Sequence, residues 1–120
     1  VSTWPKAIYR YWRAFNRLQK DLVGHPNIGP SLGNYLLNAG FDQLHTQPIT
    51  YQADKQMGLE KRREFLEYWK QLFLSAHPQL EISGPIDDSD AAAMVAEFEG
   101  LKEDAEAVFY IAAFQARAIK

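Results

Sequence analysis

Apolar residues near the start of the chain recur at alternating spacings of four and three, the pattern of one face of a long helix. They are Trp4, Ile8, Tyr11, Phe15, Leu18 and Leu22. A basic set follows much of the opposite face, namely Arg10, Arg13, Arg17 and Lys20. We predict a helix from Pro5 to Val23. Ser2 or Thr3 is its candidate N-terminal cap, since a hydroxyl oxygen accepts from the free N–H groups there.

A short second helix has both ends marked in the sequence. Pro30 suits its first turn, where the missing N–H of proline costs nothing. Its apolar face consists of Leu32, Leu36 and Ala39. Gly40 suits the left-handed residue after a helix, and Phe41 can then close a Schellman stop.

Two segments read as strands. Leu44–Tyr51 alternates between two faces, and Pro48 within it lacks a ladder donor, which favours an edge strand. Val108–Ala118 is the second, and its run from Val108 to Phe114 is apolar on both faces. Such a run is typical of a strand that is covered on both sides. We expect the two strands to pair in antiparallel fashion.

Between the strands lies a helical insertion. A third helix is predicted from Leu59 to Ala76, ended by His77-Pro78. Its apolar stripe begins at Arg62 and continues with Phe65, Trp69, Leu72, Phe73 and Ala76. Asp87–Asp90 then opens a fourth helix, because carboxylates satisfy free N–H groups at a helix start. The inner stripe of this helix is Ala91, Val95, Phe98 and Leu101.

The resulting order is helix, helix, strand, helical insertion, strand. It predicts a mostly helical α+β fold, with residues 1–120 as a single domain. The net charge of −2 argues against a nucleic-acid partner. The chain has no cysteine, which excludes disulfides and thiolate chemistry and agrees with a cytoplasmic protein. No apolar run approaches the roughly 20 residues of a membrane span.

One stretch resembles a known family. The pattern Ile28-Gly29-x-x-Leu32-x-x-x-Leu36-x-x-Ala39-Gly40-Phe41, followed by a strand, is similar to the C-terminal third of class I S-adenosylmethionine-dependent methyltransferases, of the kind related to ubiquinone and menaquinone biosynthesis enzymes. The closing Gln115-Ala116-Arg117-Ala118 resembles the final strand of that family. The resemblance implies the C-terminal part of a Rossmann-like fold.

The cofactor-binding part of that fold is missing from the sequence. No two of the seven glycines form Gly-x-Gly, so no glycine-rich loop could cradle the cofactor. With Val1 in place of Met, this indicates a C-terminal piece whose partner is an absent N-terminal half. We expect the chain alone to be inactive and to bind no S-adenosylmethionine, which the resemblance implies for the intact enzyme. We also expect the chain to form a homodimer.

The resemblance places substrate contacts on the helices that cap the active site. The candidate substrate-binding residues are Tyr9, Trp12, His25, Phe65 and Trp69. A flat apolar substrate suits aromatic walls, but the same aromatic spacing also suits a helical core. The basic face of the first helix is either solvated or a site for an anionic substrate.

Other chemistry has little support in the sequence. None of the three histidines has the spacing of a motif such as His-Glu-x-x-His, so no metal site is predicted. No catalytic residue is assigned, because no serine has a Gly-x-Ser-x-Gly context. The favoured function is the substrate-recognition and lid portion of a small-molecule methyltransferase. The alternative is a non-enzymatic helical interaction or dimerisation module.

Overall fold

The computed structural model describes residues 5–22, 24–84 and 86–120. Within them the chain forms five α-helices and two strands. The elements are α1 (Lys6–Asp21), α2 (Leu32–Asn38), β1 (Asp42–Ala53), α3 (Leu59–Leu74), α4 (His77–Ser83), α5 (Asp88–Glu103) and β2 (Phe109–Ile119). The predicted α+β class, the order of elements and the antiparallel strand pair are confirmed. The predicted caps Ser2 and Thr3, the apolar Trp4 and the predicted helix end at Val23 lie outside the described residues.

The chain divides into two compact units. The helical unit consists of the described part of Val1–Gly24 together with Ala53–Phe109, and the ribbon unit consists of His25–Gln52 with Tyr110–Lys120. In the helical unit, α1 and α3 both pack on α5. Its fully buried side chains include Tyr11, Leu66, Phe73, Leu80, Ile86, Met94 and Phe98.

The ribbon unit pairs β1 with β2 and begins with a 3-10 turn at Gly29–Ser31 that leads into α2. Gln47 donates across the strands to Gln115 at 3.1 Å. At Gly33 a methyl group would lie 2.9 Å from the side chain of Leu44, so glycine allows the close approach of α2 to β1.

The end of α2 follows the predicted Schellman geometry. Gly40 has a φ of 93°, in the left-handed region that favours glycine. The N–H of Phe41 donates to the carbonyl of Leu36 at 3.0 Å, and the N–H of Gly40 donates to Leu37 at 3.1 Å. These are the two bonds that define this motif.

One part of the helical insertion differs from the prediction. His77-Pro78 was expected to end a helix, yet α3 ends at Leu74 and His77-Pro78 begins α4. Proline fits there because the first helical turn needs no N–H from it. The stripe of α5 is also displaced, since Met94 and Lys102 are buried whereas Val95 and Leu101 are only half-buried.

The predicted acidic start of α5 is confirmed. Asp87 accepts from the N–H of Asp90 at 2.9 Å, and the Asp90 carboxylate accepts from the N–H of Asp87 at 3.0 Å. This reciprocal pair is a capping box. The hydrogen bond from the Asp90 N–H also lowers the pKa of Asp87.

Candidate functional site

Trp12 belongs to the aromatic packing of the helical unit. Its ring lies 5.4 Å from that of Phe73 and 6.1 Å from that of Phe15, measured between ring centroids. Phe73 in turn meets Phe98 edge-on at 5.6 Å. These distances favour a structural role for Trp12, because such aromatic pairs stabilise a core beyond the area that they bury.

Phe65 and Trp69 belong to a row of aromatic rings that runs from the core to the surface. Phe109, buried at one end, lies 6.2 Å from Phe65, which lies 6.3 Å from Trp69. Tyr68 is 63% exposed at the other end and meets Trp69 edge-on at 5.3 Å. The outer part of this aromatic row is therefore accessible to a ligand, whereas its inner part is core.

Tyr9 lies on the surface of α1. It is 45% exposed, and the guanidinium of Arg13 lies 5.8 Å from the centre of its ring. Arg10 on the same helix pairs with Asp90 at 3.3 Å. Part of the predicted basic face is thus engaged with neighbouring groups.

His25 is the one candidate in the ribbon unit. It is exposed, and its imidazole meets the ring of Tyr35 edge-on at 6.0 Å. The other four candidates, Tyr9, Trp12, Phe65 and Trp69, lie in the helical unit.

A second candidate site is a group of possible metal ligands from α4 and the start of α5. His77 Nε2 is 2.9 Å from Asp88 Oδ1 and 3.9 Å from Glu81 Oε2. One donor atom from each residue lies within 4.8 Å of the donor atoms of the other two. We call His77, Glu81 and Asp88 the His77 cluster. Imidazole nitrogen and carboxylate oxygen are both common metal ligands.

The inner side of the His77 cluster is buried against Tyr11. The two rings stack with centroids 6.2 Å apart and an angle of 24° between their planes. Tyr11 has no exposed surface, and its burial raises the pKa of its hydroxyl to about 12. Among the described residues, the only buried side-chain polar atoms without a hydrogen-bond partner are the Tyr11 hydroxyl oxygen and His77 Nδ1.

Sequence reasoning missed the His77 cluster because it treated His77-Pro78 as the end of a helix. His77 and Glu81 are four residues apart, which places them on one face only once α4 is recognised. The available signal was Pro78, which is as compatible with the first turn of a helix as with its end.

The helical unit also contains a network of charges between α3 and α5. Lys70 pairs with Glu67 at 2.8 Å and with Glu99 at 2.7 Å. Lys102, 8% exposed, donates to both of these carboxylates. The hydrogen bonds from Lys102 and then Lys70 lower the pKa of Glu67 to about 2. This network links α3 to α5, and we therefore assign it a structural role.

Comparison with known proteins adds no relative: no family model, curated protein or solved structure matches this chain. In the described residues, none of the helices has the length and apolar character that a bilayer span requires.

Proposed function

We propose that this chain is the substrate-side, C-terminal part of a class I S-adenosylmethionine-dependent methyltransferase and that it is inactive without a cofactor-binding half. The observation that carries this proposal is the exposed apolar surface of β2. Among the described residues β2 pairs only with β1, so its other edge has no strand beside it. Along it, Tyr110 is 64% exposed, Phe114 40% and Ile119 57%.

An exposed strand edge with large apolar side chains is avoided in proteins that are complete on their own. In the methyltransferases that the sequence resembles, the corresponding strand has neighbours on both edges and helices over both faces. An absent first half of the fold would therefore cover what β2 leaves open. The Schellman stop at Gly40 and the non-local pairing of β1 with β2 agree with the same arrangement.

Methyl transfer from S-adenosylmethionine requires little catalytic chemistry from the side chains of this chain. A sulfonium methyl group is already activated, so the transfer depends on holding the acceptor in line with it and on excluding water. The outer aromatic row, Trp69 with Tyr68, and the exposed ring of Tyr9 are the best-placed surfaces for a flat apolar acceptor. Trp12 and the inner Phe65 would support them from the core.

The decisive test compares two proteins. One is this chain alone, and the other is the product of the full coding sequence in which the chain occurs. Calorimetric titration with S-adenosylmethionine is expected to give no heat of binding for the chain alone and one site for the longer protein. Trp69→Ala in the longer protein is expected to leave cofactor binding unchanged while lowering methyl transfer.

The alternative function is a non-enzymatic interaction module, and the same exposed β2 favours it. The two candidates differ in what lies upstream. A longer protein without a strand followed by a glycine-rich loop, and without affinity for S-adenosylmethionine, would overturn the methyltransferase proposal and favour the module.

A further inference from the structure

The His77 cluster brings three possible metal ligands, one imidazole and two carboxylates, together from two helices. His77 and Glu81 lie one turn apart on α4, and Asp88 is the first residue of α5. Around a tetrahedral metal with bonds of about 2.0–2.2 Å, neighbouring ligand atoms are roughly 3.3–3.6 Å apart. The observed separations from His77 Nε2, 2.9 Å to Asp88 and 3.9 Å to Glu81, lie on either side of this range. All three donor atoms lie within 4.8 Å of one another, so rotation of the exposed carboxylate side chains would bring them to one ion.

We propose that His77 Nε2 and the carboxylates of Glu81 and Asp88 bind a divalent first-row transition metal of the Zn²⁺ type. The two carboxylates supply the charge that balances a divalent cation. The imidazole favours Zn²⁺ over Mg²⁺ or Ca²⁺, which prefer sites made of oxygen alone. Three protein ligands leave one tetrahedral position for water or another small ligand.

Asp88 is the available member of the acidic run that opens α5. Asp87 and Asp90 satisfy each other in the capping box, and Asp90 also pairs with Arg10. The side chain of Asp88 is 85% exposed, and its carboxylate faces His77. A metal ion can therefore reach this carboxylate from solvent without opening the helix cap.

An independent observation comes from the buried side of the imidazole. The side chain of His77 is 18% exposed, and stacking on Tyr11 holds the ring in place before any ligand arrives. The two unpartnered buried polar atoms of the described chain, His77 Nδ1 and the Tyr11 hydroxyl oxygen, belong to this stacked pair. A metal on Nε2 places the imidazole proton on Nδ1, the buried nitrogen of the ring.

The consequence for the fold is a link between neighbouring helices. A metal held by His77 and Glu81 on one side and by Asp88 on the other ties the short α4 to the start of α5. This inference does not depend on the methyltransferase proposal, since it concerns the helical unit alone.

The test is a calorimetric titration of the metal-free chain with Zn²⁺ at neutral pH, followed by the visible spectrum with Co²⁺. We expect one site per chain. Asp88→Asn and Glu81→Gln, both at exposed positions, are expected to weaken Zn²⁺ binding by more than about tenfold, since even outer partners of metal ligands contribute this much. His77→Asn is expected to abolish binding and to remove the Co²⁺ absorption bands.

His45→Asn is the matched control, because His45 is an exposed histidine on β1 in the ribbon unit. It is expected to bind Zn²⁺ like the unaltered chain. Far-ultraviolet circular dichroism of each variant checks that the helices are retained. No binding by the unaltered chain would overturn the proposal and leave a simple His77–Asp88 pair. The same holds if Asp88→Asn binds normally, or if His45→Asn is as impaired as His77→Asn.

Discussion

Arg62 and Ala107 are joined by a buried hydrogen bond, in which the guanidinium Nη1 donates to the carbonyl oxygen of Ala107 at 3.0 Å. Arg62 is 1% exposed. The same guanidinium donates to the carbonyls of Asp54 at 2.7 Å, Ala105 at 3.3 Å and Leu101 at 3.4 Å. All four acceptors are main-chain oxygens. Arg62 therefore fastens the segment after β1 to the segment before β2, at the two ends of the helical insertion.

Arg62→Met is expected to destabilise the chain by about 2 kcal/mol or more, because the carbonyl oxygens of Ala107 and Ala105 lose the guanidinium as their donor and the Ala107 bond is buried. Equilibrium unfolding in urea measures this loss. Arg62→Lys keeps the charge but not the planar array of donors, so it should recover only part of the stability. A loss below about 1 kcal/mol for Arg62→Met would contradict the role assigned to these hydrogen bonds.

Because of the charge network between α3 and α5, we expect the stability of the fold to decrease at acidic pH. The pKa of Glu67 is lowered from 4.5 to about 2 in the folded chain by hydrogen bonds from Lys102 and Lys70. A lowered folded-state pKa contributes stability above the unfolded value, and this contribution is lost as pH falls from about 4.5 towards 2. Glu67→Gln should flatten the fall of the urea midpoint across that window.

Glu64→Gln, on the same helix and outside the network, is the control for this experiment. It should retain the acid dependence of the unaltered chain. An identical pH profile for Glu67→Gln would show that the hydrogen bonds to Glu67 have no net effect on stability.

Replacing a core aromatic residue should reduce the unfolding free energy more than replacing a surface aromatic residue. Phe98 has no exposed surface and packs between Phe73 at 5.6 Å and Phe109 at 5.5 Å. Phe98→Ala is expected to cost about 3–5 kcal/mol in unfolding free energy. Trp69 is half-buried in the outer aromatic row, so Trp69→Ala is expected to cost about 2 kcal/mol or less. Equal losses would place Trp69 in the core and weaken its assignment to a substrate surface.

The isolated chain is expected to self-associate as a two-fold dimer through β2. Its open edge and exposed apolar side chains favour pairing with a second copy, and two-fold closure is the commonest symmetric solution. Light scattering over a range of concentrations measures the mass. Tyr110→Lys should shift the equilibrium towards monomer. Tyr68→Lys is the matched control, since Tyr68 on α3 is 63% exposed and Tyr110 is 64% exposed.

A strictly monomeric chain at high micromolar concentration would contradict this prediction. It would also weaken the proposal that another part of the fold covers β2. If Tyr68→Lys reduced association as much as Tyr110→Lys, the assignment of the contact to β2 would be contradicted.

The sequence predicts the features that depend on neighbouring residues. The stop at Gly40 and the acidic start of α5 follow from a few adjacent residues, and both are found. The spacing of apolar residues and the length of each patterned segment are enough to locate α1, α3, α5 and both strands. The class of fold was therefore accessible from local patterns.

What the sequence does not predict depends on contacts between distant segments. In the sequence, Arg62 is a charged residue at the start of an apolar stripe. Only the structure shows the carbonyl groups to which it donates and which make its burial favourable. The predicted stripes include Leu72, which is 39% exposed, and omit Met94, which is fully buried. The His77 cluster combines two residues of α4 with the first residue of α5, so a pattern within one helix could not have identified it.

Glu97 on α5 has one more consequence, for the order in which the chain becomes structured. Its carboxylate accepts the N–H groups of Ala7 and Ile8, both at 2.9 Å, at the start of α1. These partners are separated by 90 and 89 positions in the chain. On a ribosome, the first helix emerges long before the glutamate that completes its first turn. The start of α1 is thus completed by a residue about 90 positions later in the chain, and a nascent chain truncated before Glu97 lacks that closure.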